Sequence, residues 1–267
     1  MLELFDYLFF RNALMGALLV SLLCGLVGSY IVVRRLVFIS GGITHASFGG
    51  LGLGFYLGLN PIVTAALFAV VSAFGVQWLS GKREVREDSA IAVFWSLGMA
   101  LGILFIFMTP GYVPGMTEFL FGNILTITQS DLWQFAILTV LMVSFFWYFY
   151  HTILYIAFDK EFAKSQKLPV VVIEYIMMFF IALTIVFSIR LIGIVLLVSM
   201  LTIPQMTASL FTTSFKGLII LSVIIGVLSS FTGLMLSYLL NVPSGAFIII
   251  VSIIFYTVAK LYKSIRS

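Results

Sequence analysis

Nine apolar stretches, at residues 11–33, 41–59, 61–80, 90–109, 132–150, 171–189, 191–211, 217–240 and 243–262, recur along the chain with short polar segments between them. Each is close to the roughly 20 residues that a helix needs to cross a hydrocarbon core about 30 Å thick. In that medium every backbone N–H and carbonyl must be paired within its own segment, so the stretches read as helices. With 62% hydrophobic residues, 9% charged residues and a mean hydropathy of +1.22, the chain lies outside the range of soluble domains. The expected fold is an all-α polytopic membrane protein with eight or nine transmembrane helices, forming a single transmembrane domain over residues 1–267. Nine is the direct count. Eight follows if 191–211, bounded by Arg190 and interrupted by Pro204, is a broken or re-entrant segment.

Charge sets an orientation. Placed between or after these stretches, Arg34, Arg35, Lys82, Arg83, Arg86, Lys160, Lys164, Lys167, Lys216, Lys260, Lys263 and Arg266 fall on one side, which accounts for all but two of the 14 basic residues. Cytoplasmic loops carry such an excess, so the N-terminus is expected outside and the C-terminus in the cytoplasm. The net charge of +4 then reports topology and calls for no nucleic-acid partner. The first residues carry Glu3 and Asp6 where a signal peptide would be basic, so the whole chain is expected to be mature protein. Cys24, the only cysteine, lies inside the first span and can form neither an internal disulfide nor a thiolate cluster.

Two longer polar segments are informative. The first, "PGYVPGMTEFLFGNILTITQSDL" from residue 110, has turn formers followed by an amphipathic run, as a helix lying along the outer surface would. The second, "FDKEFAKSQKLP" at 158–169, spaces Phe158 and Phe162 one turn apart among Asp159, Lys160, Glu161 and Lys164, and ends at Pro169. A short amphipathic helix on the cytoplasmic side is expected there. Its mixed charge suits the groove of another protein better than an anionic lipid surface.

The second apolar stretch is unusual for its glycines. On a helix Gly42, Ala46, Gly50 and Gly54 share one face, a small-residue stripe that lets another helix come close. Gly41, His45 and Gly49 form the adjacent stripe, which would leave the imidazole open space above and below. An ionisable residue within a span usually faces the bundle interior and often marks a pathway. The alternative is a neutral histidine bonded to a carbonyl of a neighbouring helix.

Farther along, "LLVSMLTIPQMTASLF" at 196–211 gathers Ser199, Thr202, Gln205, Thr207 and Ser209 around Pro204. Proline frees backbone carbonyls, so this is either a discontinuous helix beside a translocation path or a kinked one whose hydroxyls satisfy its own carbonyls. In "YLLNVPSGAF" at 238–247, Asn241 and Ser244, with Ser237 just before, either line an outer mouth or serve a turn. Glu174, near the inner end of a span, reads as a side chain reaching for the interface. There is no G-x-x-x-x-G-K-[ST] phosphate loop, no H-E-x-x-H and no G-x-S-x-G, which argues against ATP hydrolysis by this chain and against an intramembrane hydrolase.

Four stretches coincide with one family. "GSYIVVRRLVFISGGITHASFGGLGLG" (28–54), "FDKEFAKSQKLP" (158–169), "IGIVLLVSMLTIPQMTASL" (192–210) and "LSYLLNVPSGAFIIIV" (236–251), with "LFGNILTIT" (120–128), resemble the membrane subunit of the ABC-type zinc/manganese permeases of bacteria and archaea. The resemblance implies a multi-pass permease of the cytoplasmic (inner) membrane, and not an enzyme. It implies a homodimer working with cytoplasmic ATP-binding cassette subunits and an extracytoplasmic metal-binding protein. No permanently bound cofactor is implied, because the divalent metal ion is the transported substrate. It also makes 158–169 the coupling helix, with Asp159, Glu161, Phe162 and Lys164 at or near the ATPase contact.

The chain departs from this family in two places. Family members often carry an aspartate four residues before the histidine matching His45, where this chain has Gly41, and the position near Asn241 is commonly acidic. Imidazole suits zinc better than it suits hard manganese, so the expected cargo is zinc first and manganese next. The expected metal ligands are His45, Asn241 and Ser237, with Ser199, Thr202 and Gln205 along the path. The rival readings are an ABC permease for iron, a metal chelate or another small solute, and an ion-coupled secondary transporter.

Overall fold

The computed structural model describes residues 6–81, 85–111, 122 and 127–266, and the described residues contain helices and no strand. The helices are α1 (Leu8–Val33), α2 (Val37–Leu57), α3 (Pro61–Gly81), α4 (Glu87–Met108), α5 (Gln129–Tyr148), α6 (Tyr150–Phe158), α7 (Lys160–Ser165), α8 (Val170–Met200), α9 (Ile203–Ala208), α10 (Phe215–Leu240) and α11 (Ser244–Arg266). Among them, seven segments are long and apolar enough to cross a membrane: α1, α3, α4, α5, Val170–Ala208, α10 and α11. The surface helix expected within 110–131 falls largely outside the described residues.

The difference from the expected eight or nine has two causes. First, the 41–59 stretch does form a 21-residue helix, α2, but its glycines, hydroxyls and His45 dilute its hydropathy. Second, the stretches 171–189 and 191–211 are joined. α8 runs through Arg190 to Ile192 and is interrupted at Gly193, whose φ of 73° and ψ of 169° are open to glycine and strained for other residues. The backbone of Gly193 is approached closely by Gly122, itself at φ 59°. Val170–Ile192 spans about 34 Å at 1.5 Å per residue, whereas the pieces that follow are too short to cross alone. Pro204 opens α9 within its first two positions, where a missing N–H costs nothing, instead of bending a longer helix from inside.

The chain groups into two compact units. The first comprises residues up to Val33, Glu118–Tyr150 and Arg190–Ser267. Within it α1 packs on α5, α9 and α10, and α10 packs on α9 and α11. Close approach is permitted by small residues: a β-carbon added at Gly226 would lie 3.3 Å from that of Ser21, and one at Gly233 would lie 2.6 Å from the Cα of Ile248. α5 begins with a reciprocal cap, in which the Thr128 hydroxyl accepts from the Asp131 N–H and the Asp131 carboxylate accepts from the Thr128 N–H.

The second unit comprises Arg34–Thr117 and His151–Ile189. Its centre is α2, which packs most extensively on α4 and next on α3. Two of the contacts with α4 are backbone on backbone. A β-carbon at Gly98 would lie 2.6 Å from the Ala46 carbonyl oxygen, and one at Gly102 would lie 2.7 Å from that of Phe48. Any side chain at either position would force the two helices apart.

Candidate functional site

The face carrying Gly42, Ala46, Gly50 and Gly54 divides between two neighbours. Gly42 abuts Ile91 and Ala46 abuts Gly98 on α4, while Gly50 abuts Ala65 and Phe68 and Gly54 abuts Pro61 and Thr64 on α3. The adjacent stripe differs from the open arrangement that its spacing suggests. A β-carbon at Gly49 would lie 2.8 Å from the Gly98 carbonyl oxygen, so Gly49 is a packing residue. Gly41 is not: a β-carbon there would meet the Trp95 ring at an ordinary 3.5 Å.

His45 is half-buried, and its imidazole stacks on Trp95 with ring centroids 4.4 Å apart and planes 11° from parallel. Stacking occupies one face of the ring and fixes its plane. The ring nitrogens, whose ligating lone pair lies in that plane, remain available to a cation. Among the described residues no three His, Cys, Asp or Glu side chains gather as a metal site.

In the first unit, Ser237 and Asn241 stand at the α10–α11 turn. Asn241 ends α10 in the left-handed conformation, φ 53° and ψ 44°, and the Ser237 hydroxyl donates to the Val242 carbonyl at 2.6 Å. Both also line a cavity of about 250 Å³ with Phe9, Phe10, Tyr238 and Ser244. The residues of the turn thus also line the cavity.

The hydroxyls around the α8–α9 break bond the backbone of their own segment. Ser199 donates to the Val195 carbonyl, Thr202 to that of Val198 and Thr207 to that of Ile203. Gln205 is fully buried, and its amide nitrogen donates to the carbonyls of Cys24, at 2.7 Å, and Met200, at 3.2 Å. Its amide oxygen has no partner among the described residues.

The 158–169 segment folds as the end of α6, the helix α7 and the turn into α8. Asp159 caps α7, its carboxylate accepting from the Phe162 N–H at 2.9 Å, and Glu161 pairs with Lys164 at 3.0 Å. Ala163 is buried, while Phe162 is 45% exposed and meets Tyr155 edge to face.

The structure corrects the reading of Glu174. It does not reach for an interface: it is 2% exposed, and its carboxylate accepts from Arg34 at 3.1 Å, Lys160 at 2.7 Å and Gln77 at 3.0 Å. One available signal was that Arg34, Gln77, Lys160 and Glu174 all fall at the predicted cytoplasmic ends of spans or in the segments between them. Trp95 carried no such signal, because one aromatic among apolar residues does not reveal what it stacks on.

Long apolar helices that bury glycine backbone against one another, a broken helix, and a short polar helix with an exposed face define an α-helical membrane transport subunit. A family model, the ABC 3 transport family, matches residues 6–263, and the chain belongs to that family. It is 38% identical over 263 residues to an uncharacterized membrane protein of Synechocystis sp., covering 98% of this chain and 94% of that one. It is 31% identical over 259 residues to the manganese transport system membrane protein MntC of Listeria monocytogenes, covering 97% and 92%. Among solved structures it is similar to PsaBC from Streptococcus pneumoniae, in complex with Fab, with a TM-score of 0.84, 30% identity and coverage of 96% and 94%. The chain is a multi-pass permease subunit of an ABC transporter in the cytoplasmic membrane, and is not itself an enzyme. Membership sets aside the ion-coupled secondary transporter.

Proposed function

We propose that this chain is the permease of an ABC importer for a divalent transition metal ion, with manganese as its first cargo. The observation that carries this reading is the end-to-end likeness, without large gaps in coverage, to the manganese transport protein MntC. The permease works as a homodimer with cytoplasmic ATPase subunits and receives metal from an extracytoplasmic binding protein. Its N-terminus lies outside and its C-terminus inside, which takes nine crossings: the seven apolar segments, with Val170–Ala208 divided into two at Gly193, and α2. The charge distribution supports this orientation, since Arg190 and Lys216 then lie on opposite sides, and the break at Gly193 supports the division of Val170–Ala208.

Metal enters at the mouth lined by Ser237 and Asn241, and His45 is a transit ligand. An imidazole supplemented by neutral oxygens binds weakly enough to release, as conduction requires. Zinc is the second reading. It is favoured by the lack of a carboxylate at Gly41, since imidazole suits zinc and carboxylate suits manganese. The test is ATP-dependent uptake of radioactive Mn²⁺ by the complex in proteoliposomes, with unlabelled Zn²⁺, Fe²⁺ and Mn²⁺ as competitors. His45→Ala is expected to abolish uptake while the complex still assembles. Uptake by that variant at the unaltered rate would remove His45 from the pathway, and uptake without ATP would remove the importer reading.

A further inference from the structure

Glu174 is joined to elements that the sequence keeps far apart, all within the second unit. One carboxylate oxygen, Oε1, is shared by two cations: Lys160 at 2.7 Å and Arg34 at 3.1 Å. The other, Oε2, accepts from Gln77 of α3 at 3.0 Å. Lys160 is the first residue of α7, directly after the cap Asp159, so it moves with that helix. Arg34 stands beside Arg35, whose φ of 59° turns the chain into α2. The Arg34 guanidinium also lies 3.7 Å from Glu87, in the first turn of α4. α2 carries His45 and α4 carries Trp95, the stacked pair.

We propose that Glu174 is the positioning residue that relays displacement of α7 to the helices holding His45 and Trp95. This rests on the proposed contact between α7 and an ATPase subunit. The physical basis is competition for one oxygen. A carboxylate buried at 2% exposure needs a cation nearby, and here two cations bind the same atom. If an ATPase shifts α7, it draws Lys160 away from Glu174 or presses it closer, and the hold on Arg34 tightens or loosens in response. Arg34, held between Glu174 and Glu87, then biases the α2 turn and the start of α4 together. The face of α7 that would meet the partner, Glu161, Phe162 and Lys164, is separate from Lys160, which reaches inward. Contact and relay are therefore different residues and can be mutated apart.

The experiment compares Glu174→Gln, Lys160→Met and Phe162→Ala in the complete complex. It measures ATPase capture, ATP hydrolysis, and Mn²⁺ transported per ATP hydrolysed. Phe162→Ala is expected to lose capture. Glu174→Gln and Lys160→Met are expected to keep capture and hydrolysis while Mn²⁺ per ATP falls about tenfold, the size of an ordinary coupling between sites. The double variant should be no worse than Glu174→Gln alone, because both act through one contact. A purely structural brace would lower hydrolysis and transport in proportion and leave their ratio unchanged, which would overturn the relay. So would an unaltered ratio at full activity. Lys160→Met leaves Arg34 paired with Glu174, so it gives an answer even if Glu174→Gln does not fold. If the unmodified chain captures no ATPase, the ABC-importer reading itself fails, and the relay with it.

Discussion

Glu174 and Asp131 are both buried carboxylates, 2% and 5% exposed, and each faces an arginine, Arg34 at 3.1 Å and Arg190 at 2.9 Å. They hold very different amounts of structure. Asp131 is satisfied mostly within four residues: its carboxylate accepts the Thr128 N–H at 3.1 Å and the Thr128 hydroxyl at 2.6 Å. Its one distant partner among the described residues, Arg190, keeps 43% of its side chain exposed. Glu174 has no local partner of this kind. Arg34, Gln77 and Lys160 come from three other parts of the second unit, and the arginine keeps only 15% of its side chain exposed. The lesson is that an ion pair's weight comes from how many distant elements it joins and how little water remains around it, more than from its length.

The sharpest way to break this comparison is to remove each carboxylate. Glu174→Ala leaves two cations beside one another with no buried anion, and the expected loss of stability is about 3–5 kcal/mol. Asp131→Asn keeps part of the cap and frees an arginine that water already reaches, so the expected loss is about 1–2 kcal/mol. Thermal unfolding of the purified proteins in detergent checks both. Equal losses would show that burial of the carboxylate alone sets the cost, and the contrast drawn from partner number would be wrong. Thr128→Ala refines the Asp131 side, since loss of the cap hydroxyl alone should cost about 1 kcal/mol.

Much of the helical layout was legible in the sequence, because a bilayer leaves a chain few options other than apolar helices. The α7 segment was legible for a related reason: Asp159, Pro169 and the Phe158–Phe162 spacing are local signals. What was not legible depended on residues distant in the chain. Arg190 read as a boundary between two spans, but its partner Asp131 lets the helix continue past it to Ile192. The break comes instead at Gly193, against Gly122. The shared face of Gly42, Ala46, Gly50 and Gly54 could be read from spacing. Its division between α3 and α4 could not, nor could the assignment of Gly49 to packing, because these depend on which neighbours arrive. Glu174 was misread for the same reason, since one acidic residue near a span end looks alike whether water or Arg34 completes it.

The smallest expected effect supplies the zero point for the comparison. Lys164 pairs with Glu161 at 3.0 Å, close to the 2.9 Å of Arg190 and Asp131, but both side chains are open to solvent, at 42% and 67% exposure. Coulomb attraction there is screened by water and offset by the ordering of two long side chains. Lys164→Ala is therefore expected to change stability by less than about 0.5 kcal/mol. Its effect should appear elsewhere, as weaker capture of the ATPase by α7, because an exposed charged face contributes to recognition more than to folding. Unfolding and capture measured on the same variant separate the two. A stability loss near that of Asp131→Asn would mean that ion-pair length outweighs exposure, whereas unaltered capture would remove Lys164 from the proposed contact.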